Sequence, residues 1–189
     1  MPTKDALRWN ARYLDENSGS FISPRALLVE NATFLPRSGL ALDAAMGLGG
    51  NSGLLIEQGL NVIGVDISEL AVSRAKHRFP QLWAVIADLT QFYIPQNAFD
   101  VILNFFYLER GLWPYYIQAL KPGGVLFFES LTLDMLQIHP ELNPAHLLKK
   151  DELKLGFYEL EILVYREGWI KPVTGHPRAV ASLIGRKLH

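Results

Sequence analysis

The chain has 189 residues, 18 basic against 19 acidic side chains, and no cysteine. That length suits one domain with a substantial buried core, and the balanced charge supplies no general field for nucleic acid. The missing cysteines exclude a disulfide framework, a thiolate nucleophile and a cysteine-ligated metal.

The opening MPTKDALRWNARYL lacks the apolar centre of a signal peptide. No apolar run approaches the roughly 18 residues that span a bilayer. The expectation is a cytoplasmic protein without a membrane partner. Asp5 to Leu14 sets Ala6, Leu7, Trp9, Tyr13 and Leu14 among charged neighbours, an amphipathic helix pattern that ENSGS breaks. A second helix is predicted after Ser23, with Pro24 in its first turn, running until Pro36.

Strands and helices then alternate. Strands are predicted over Leu40–Ala44, Asn61–Val65, Leu82–Ala87, Ala98–Leu103 and Val125–Glu129. The first is apolar without alternation, as a parallel strand covered on both faces should be. Helices are predicted over Asn51–Gln58, from a Ser68 cap to Pro80, and over Gly111–Leu120 with Pro114 near its start. Lys121–Gly124 reads as a tight turn. A helix over Ala145–Leu155 follows a loop with Pro140 and Pro144. The strand YELEILVYRE, the turn GWIKPVTGHP and a last strand over Arg178–Gly185 complete the chain. So short a connection makes the last two strands antiparallel. Five βα-type units and a terminal hairpin are expected. The basic residues from Arg166 onward, including Lys171, Arg178, Arg186 and Lys187, read as a solvated surface.

The stretch LALDAAMGLGGNSGLLIEQGLNVIGVDIS, residues 40–68, carries the functional signal. Gly47, Gly49 and Gly50 sit between a strand and a helix, where glycine permits positive φ and close approach of a ligand. A dinucleotide site would need a small last residue in its G-x-G-x-x-G/A pattern; here that position is Ser52, with Gly53 one place late, so the match is imperfect, though Asp66 sits where a ribose-binding acid would. A phosphate loop would need Gly-Lys-Ser/Thr, which is absent. No basic residue lies between Leu40 and Ile67, so the turn is not built for several phosphates. Instead Asp43, Asp66 and Asp88 end three successive strands. Two carboxylates beside a bare backbone turn suit a ligand with an ammonium group and a ribose, and Asp88 can accept from an exocyclic amine. Ligands of α/β sheets sit at these carboxyl ends.

LDAAMGLGGN, VDIS, ADL and LKPGG, in this order and spacing, resemble the class I S-adenosylmethionine-dependent methyltransferases. The resemblance implies a Rossmann-like α/β three-layer sandwich with N-terminal helices. Its seven-stranded, mostly parallel sheet would have the order 3-2-1-4-5-7-6, with strand seven antiparallel. Within the class, WNARY, Asn51-Ser52, DELKL, YRE and GRKL are similar to the small tellurite-resistance-type enzymes. Ala45 in place of the first glycine, Met46, and GWIKPVTGHPRAV depart from that pattern.

The resemblance implies S-adenosyl-L-methionine as cofactor and one domain over residues 1–189. Residues 1–39 would form an N-terminal helical cap, 40–130 the cofactor-binding half, and 131–189 a C-terminal helix and hairpin. It assigns Asp66 to the ribose hydroxyls, Asp88 to the adenine amine, and Ile67 and Leu89 to the base. Gly47, Gly49, Ala45 and Asn51 belong to the turn that holds the methionine part. Asp43 orients that turn and receives the ammonium, helped by the carbonyl of Asn104. The expected reaction is in-line methyl transfer to a small-molecule acceptor. A non-catalytic S-adenosylmethionine-binding partner protein and, further off, an NAD-type oxidoreductase are the alternatives. No base is evident; Glu129, Tyr107 and Arg110 are the candidates, with Glu109 beside them. Trp9, Arg12 and Tyr13 are candidates for a lid. His139 and His176 read as solvent-facing, and no spacing suggests a metal site.

Overall fold

A computed structural model describes residues 3–14, 22–171 and 176–189. The predicted break at 16–20 and residues 172–175 of the hairpin turn lie outside them. Seven strands form one sheet: β1 Leu40–Ala44, β2 Asn61–Asp66, β3 Trp83–Ile86, β4 Phe99–Phe105, β5 Leu120–Leu131, β6 Glu161–Ile170 and β7 Arg178–Arg186. Their order is β3-β2-β1-β4-β5-β7-β6, with β7 antiparallel to both neighbours and the other pairings parallel. Order and direction are those the family resemblance implied.

Alternation along the central strands builds two cores. Leu42, Ile102, Leu126 and Phe128 point to one face, under α5 (Trp113–Ala119) and α6 (Glu152–Gly156). Ala41, Val101, Leu103, Val125 and Phe127 point to the other, under α2 (Ala26–Glu30), α3 (Gly50–Glu57) and α4 (Glu69–Arg78). Both faces of a parallel sheet are thus covered, which explains the continuous apolar runs. The Ser68 side chain accepts from the Ala71 N–H as the cap of α4, and Lys76, His77 and Arg78 complement the helix dipole at its far end.

Several expected elements are corrected. The second helix spans only Ala26–Glu30, and a short 3₁₀ turn, Ala32–Phe34, follows it. Pro24 precedes its cap, Arg25, rather than standing in the first turn. No helix connects β3 to β4. Asp88 turns the chain at once by accepting from Thr90, and Pro95 and left-handed Asn97 (φ 50°) bar helical continuation. β4 runs through Phe105, so Asn104 lies within the strand and not past it.

The helix expected over 145–155 forms only at its end. Leu148 bridges to Thr132 as a strand fragment, and the short 3₁₀ turn Pro144–His146 and α6 flank it. The LKPGG turn is a four-residue bulge inside β5, because Leu120 pairs with Phe99 while Val125 pairs with Val101. Lys121 Nζ meets Asp100 at 2.7 Å, and the Gly123 N–H donates to the Lys187 carbonyl at 2.7 Å. This bulge straps the amino-terminal edge of the sheet, opposite the site.

Candidate functional site

The site forms where β1, β2 and β3 end. After Asp43 the chain enters left-handed backbone at Ala45 (φ 56°), Gly47 (φ 55°) and Gly49 (φ 75°), then starts α3. The two glycines occupy this region without strain; Ala45 costs about 1 kcal/mol. The turn is held from both sides by acids. Asp66 Oδ2 accepts from the Gly47 N–H and its Oδ1 from the Ser68 N–H, each at 2.8 Å. Ser52, fully buried, donates to Asp43 Oδ2 at 2.6 Å.

Burial dominates the charge state of both acids. It raises the Asp43 carboxyl to about 7, against the opposing Ser52 hydrogen bond, with Asp66 adding like-charge repulsion. Asp66 is raised too, by burial, against the backbone N–H groups of Ser68, Gly47 and Ile67. The Asp66 carboxylate keeps acceptor capacity for a ligand hydroxyl. Asp88 is half-buried, and its Oδ1 accepts from the Thr90 N–H and hydroxyl at 2.9 and 2.7 Å. Among the described residues its Oδ2 has no hydrogen-bond partner. Ile67 is half-buried and Leu89 is buried.

Asn104 does not offer its side chain: Nδ2 donates to the Tyr107 carbonyl at 2.6 Å, and Oδ1 accepts from the Tyr116 hydroxyl at 3.1 Å. Asn51 Oδ1 accepts from the Arg25 N–H at 2.8 Å, tying the segment before α2 to the glycine turn. Tyr107 is pushed up to about 12, by burial first and then by Asp88, Glu109 and further acids. That phenol keeps its proton at neutral pH, so it is a donor beside Asp88 and not a base.

Helix α1, Lys4–Leu14, is docked against this edge. Asn10 Oδ1 accepts from the Ser68 hydroxyl at 2.6 Å and the Leu70 N–H at 3.2 Å, and Arg74 donates to the Tyr13 carbonyl at 2.6 Å. Trp9 stacks on Tyr13, which is buried with Leu48 and Ala71. The Tyr13 hydroxyl stands 2.8 Å from where a Cβ on Gly47 would lie. A side chain on Gly47 would collide with it, so the bare glycine admits this tyrosine over the turn. Burial, reinforced by Asp66, holds Tyr13 protonated.

A second corner lies beyond β4 and β5. Glu129 is buried on the same face as Val125 and Phe127, its Oε2 accepts from Ser182 at 2.6 Å, and burial raises its carboxyl. Arg25 and Arg178 lower it electrostatically, and Glu30 raises it. Arg25 Cζ lies 4.7 Å and Arg178 Cζ 5.7 Å from the centroid of the Phe106 ring. Arg25 was not singled out in the sequence, and Arg178 was read as solvated surface. Their nearest signal is position alone: one precedes the first βα unit, and the other begins the last strand.

Arg110, another candidate, is engaged by groups of the protein. Its Nε and NH2 bind the two Glu152 oxygens at 2.5 and 3.0 Å, and its remaining donors hold the carbonyls of Ala145 and Leu147. It clamps the loop before α6. Glu109 accepts from the Gly111 N–H as a local cap. His139 pairs with Glu141 on the exposed surface, and His176 is exposed. Among the described residues no cluster of three metal-ligating side chains occurs, and no helix is long and apolar enough to cross a membrane.

Residues 41–124 match the family described as "Methyltransferase domain". A probable S-adenosylmethionine-dependent methyltransferase of Mycolicibacterium smegmatis is 30% identical over 115 residues, covering 56% of this chain and 44% of that protein. The chain thus spans less than half the length of this curated relative. Among solved structures, TehB from Haemophilus influenzae superposes with a TM-score of 0.74 at 17% identity, covering 97% of this chain and 67% of that one. An S-adenosylmethionine-dependent methyltransferase from Methanosarcina mazei gives a TM-score of 0.72 at 17% identity, covering 88% and 99%. The family match covers residues 41–124, and the fold of the sheet is shared with these two structures.

Proposed function

We propose that the chain transfers a methyl group from S-adenosylmethionine to a small-molecule acceptor, by in-line displacement at the sulfonium methyl. The observation that carries this reading is the Asp66 carboxylate. It clamps the Gly47 and Ser68 N–H groups at the end of β2 and keeps lone pairs for a ribose, in a turn without any basic side chain. A dinucleotide or a triphosphate would bring charge that this acid-ended edge repels.

The remaining residues fit the same ligand. Asp88 Oδ2 is open to the adenine amine, between Ile67 and Leu89 as walls for the base. The left-handed backbone at Ala45, Gly47 and Gly49 bares its peptide groups to the methionine part. Asp43, with the Asn104 carbonyl, is suited to the ammonium, whose charge favours the ionised carboxylate. Tyr13 covers the turn and excludes water. Bound there, S-adenosylmethionine supplies an electrophilic methyl that leaves a neutral thioether behind. Positioning then does most of the chemistry. Where the acceptor arrives protonated, the ionised Glu129 takes the proton, and burial, which raises its carboxyl, makes it the stronger base.

A methylation assay over a panel of small acceptors, read as S-adenosylhomocysteine released, tests the reading. Turnover by the wild type that falls at least about tenfold in Glu129→Gln supports the role of Glu129 as base. Failure of the wild type to bind S-adenosylmethionine defeats the reading as a whole.

A further inference from the structure

We infer that Asn10 is a positioning residue for the cofactor: through Ser68 it steadies the Asp66 carboxylate, and so couples the docking of α1 to binding at the glycine turn. The identity of the ligand rests on the methyl-donor reading above. The coupling itself stands on the hydrogen bonds at this edge.

Asp66 accepts from two backbone groups, the N–H of Gly47 and the N–H of Ser68. Helix α1 reaches these same two residues from the other end of the sequence. At Ser68, the hydroxyl donates to Asn10 Oδ1 at 2.6 Å. At Gly47, the Tyr13 hydroxyl stands 2.8 Å from the point a Cβ would occupy. Asn10 and Tyr13 are three residues apart on α1, so a single helix face carries both. A shift of α1 is therefore felt on both sides of the Asp66 carboxylate.

Ser68 is fully buried, and its hydroxyl has two tasks. It accepts from the Ala71 N–H at 3.1 Å as the cap of α4, and it gives its own proton to Asn10. Asn10 Oδ1 also accepts from the Leu70 N–H at 3.2 Å, a donor that the first turn of α4 leaves unpaired. Asn10 thus caps α4 from outside, just where the chain leaves Asp66. Without it, a buried hydroxyl must turn from its only acceptor among the described residues or stay unpaired, which is costly. Arg74 adds a tie further along α4, to the Tyr13 carbonyl at 2.6 Å. Of the α1 side chains only Ala6 and Tyr13 are buried, so these polar contacts carry much of its docking. Linkage then makes the effect reciprocal: a ligand that favours the docked helix is favoured by it to the same degree.

Hydrogen exchange of the full chain with and without S-adenosylhomocysteine, read beside calorimetric affinities, tests this coupling. In the wild type the ligand is expected to slow exchange over Lys4–Leu14 by at least about fivefold. Asn10→Leu removes the acceptor and is expected to bind about fivefold to tenfold more weakly, with most of that protection gone. Asn10→Asp keeps the acceptor and is expected to stay within about twofold of the wild type, a rescue that mere loss of helix packing does not give. Asn10→Ala, smaller and equally without an acceptor, should match Asn10→Leu and replaces it if that variant does not fold. Wild-type affinity in a folded variant without the acceptor overturns the inference. So does an Asn10→Asp as weak as Asn10→Leu, or an α1 whose exchange ignores the bound ligand. Failure of the wild type to bind S-adenosylhomocysteine at all defeats the methyl-donor reading, and the inference with it; binding that leaves α1 unchanged defeats the coupling alone.

Discussion

The two ends of the site are built on different principles. Beyond β1, β2 and β3 the working parts are backbone: a turn with three left-handed residues, two of its elements tied to Asp43 and Asp66, and no basic side chain. Beyond β4, β5 and β7 the working parts are side chains from three separated segments, Arg25, Phe106 and Arg178, grouped around Glu129. One end is acidic and closed by local hydrogen bonds. The other is cationic and aromatic.

The comparison breaks most readily at Asp66. Asp66→Ala leaves the Gly47 and Ser68 N–H groups without their acceptor and removes the ribose partner. Affinity for S-adenosylhomocysteine is expected to fall about tenfold to hundredfold, from a loss of about 1.5–3 kcal/mol, as isothermal titration calorimetry reads it. The same measurement on Asp88→Ala is expected to show a smaller loss, about twofold to tenfold, because Asp88 is half-buried and has one oxygen left for the ligand. If Asp88→Ala costs more than Asp66→Ala, the ranking by burial is wrong.

Asp43 sharpens the picture through pH. Its folded-state carboxyl is raised from 3.8 to about 7, so the folded chain binds this proton more tightly than the unfolded chain. Its contribution to stability is fully present at low pH and is lost as pH rises from the ordinary carboxylate range to about 7. Asp43→Asn carries no such term and keeps an oxygen for Ser52. Its melting temperature should therefore gain on that of the wild type between pH 4.5 and 7.5, values chosen to bracket the shift. A constant difference would remove burial as the cause. Because an ammonium favours the ionised form, binding of S-adenosylhomocysteine near pH 6 should release protons. Calorimetry in buffers of different ionisation enthalpy would detect this in the wild type and find it reduced in Asp43→Asn.

The smallest effect on binding is expected outside both ends. Arg110→Ala loses the two-oxygen contact with Glu152 and two carbonyl bonds. Partial exposure limits the cost to about 1–2 kcal/mol of folding stability, read by urea denaturation. Affinity for S-adenosylhomocysteine should stay within twofold of the wild type, about the scatter of such a titration. A large loss of binding would return Arg110 to the site.

How much of this was legible in the sequence follows the same division. The strands and the acids at their ends could be read because apolar runs, glycine turns and caps are local features of consecutive residues; the strand order came only from the family resemblance. Ser68 was placed correctly as a cap, and Asp43 and Asp66 as strand-ending acids, on that basis. The helix expected over 145–155 failed because Leu148 is pulled into a bridge with Thr132, a contact that no local pattern encodes. Asn104 was placed past its strand because Phe105 gave no stop signal. Arg25 and Arg178 were not recognised as site residues because their meaning lies in a ring 81 residues from the one and 72 from the other. Tyr13 lay between the two cases: its helix was readable, its place over Gly47 was not.

The most direct test of the central claim is calorimetric titration of S-adenosylhomocysteine into the wild type, Asp66→Ala and Arg178→Gln in parallel. The account predicts saturable one-site binding to the wild type, weakening of about tenfold to hundredfold in Asp66→Ala, and wild-type affinity in Arg178→Gln. Equal affinity in the wild type and Asp66→Ala, or loss of binding in Arg178→Gln alone, would contradict it.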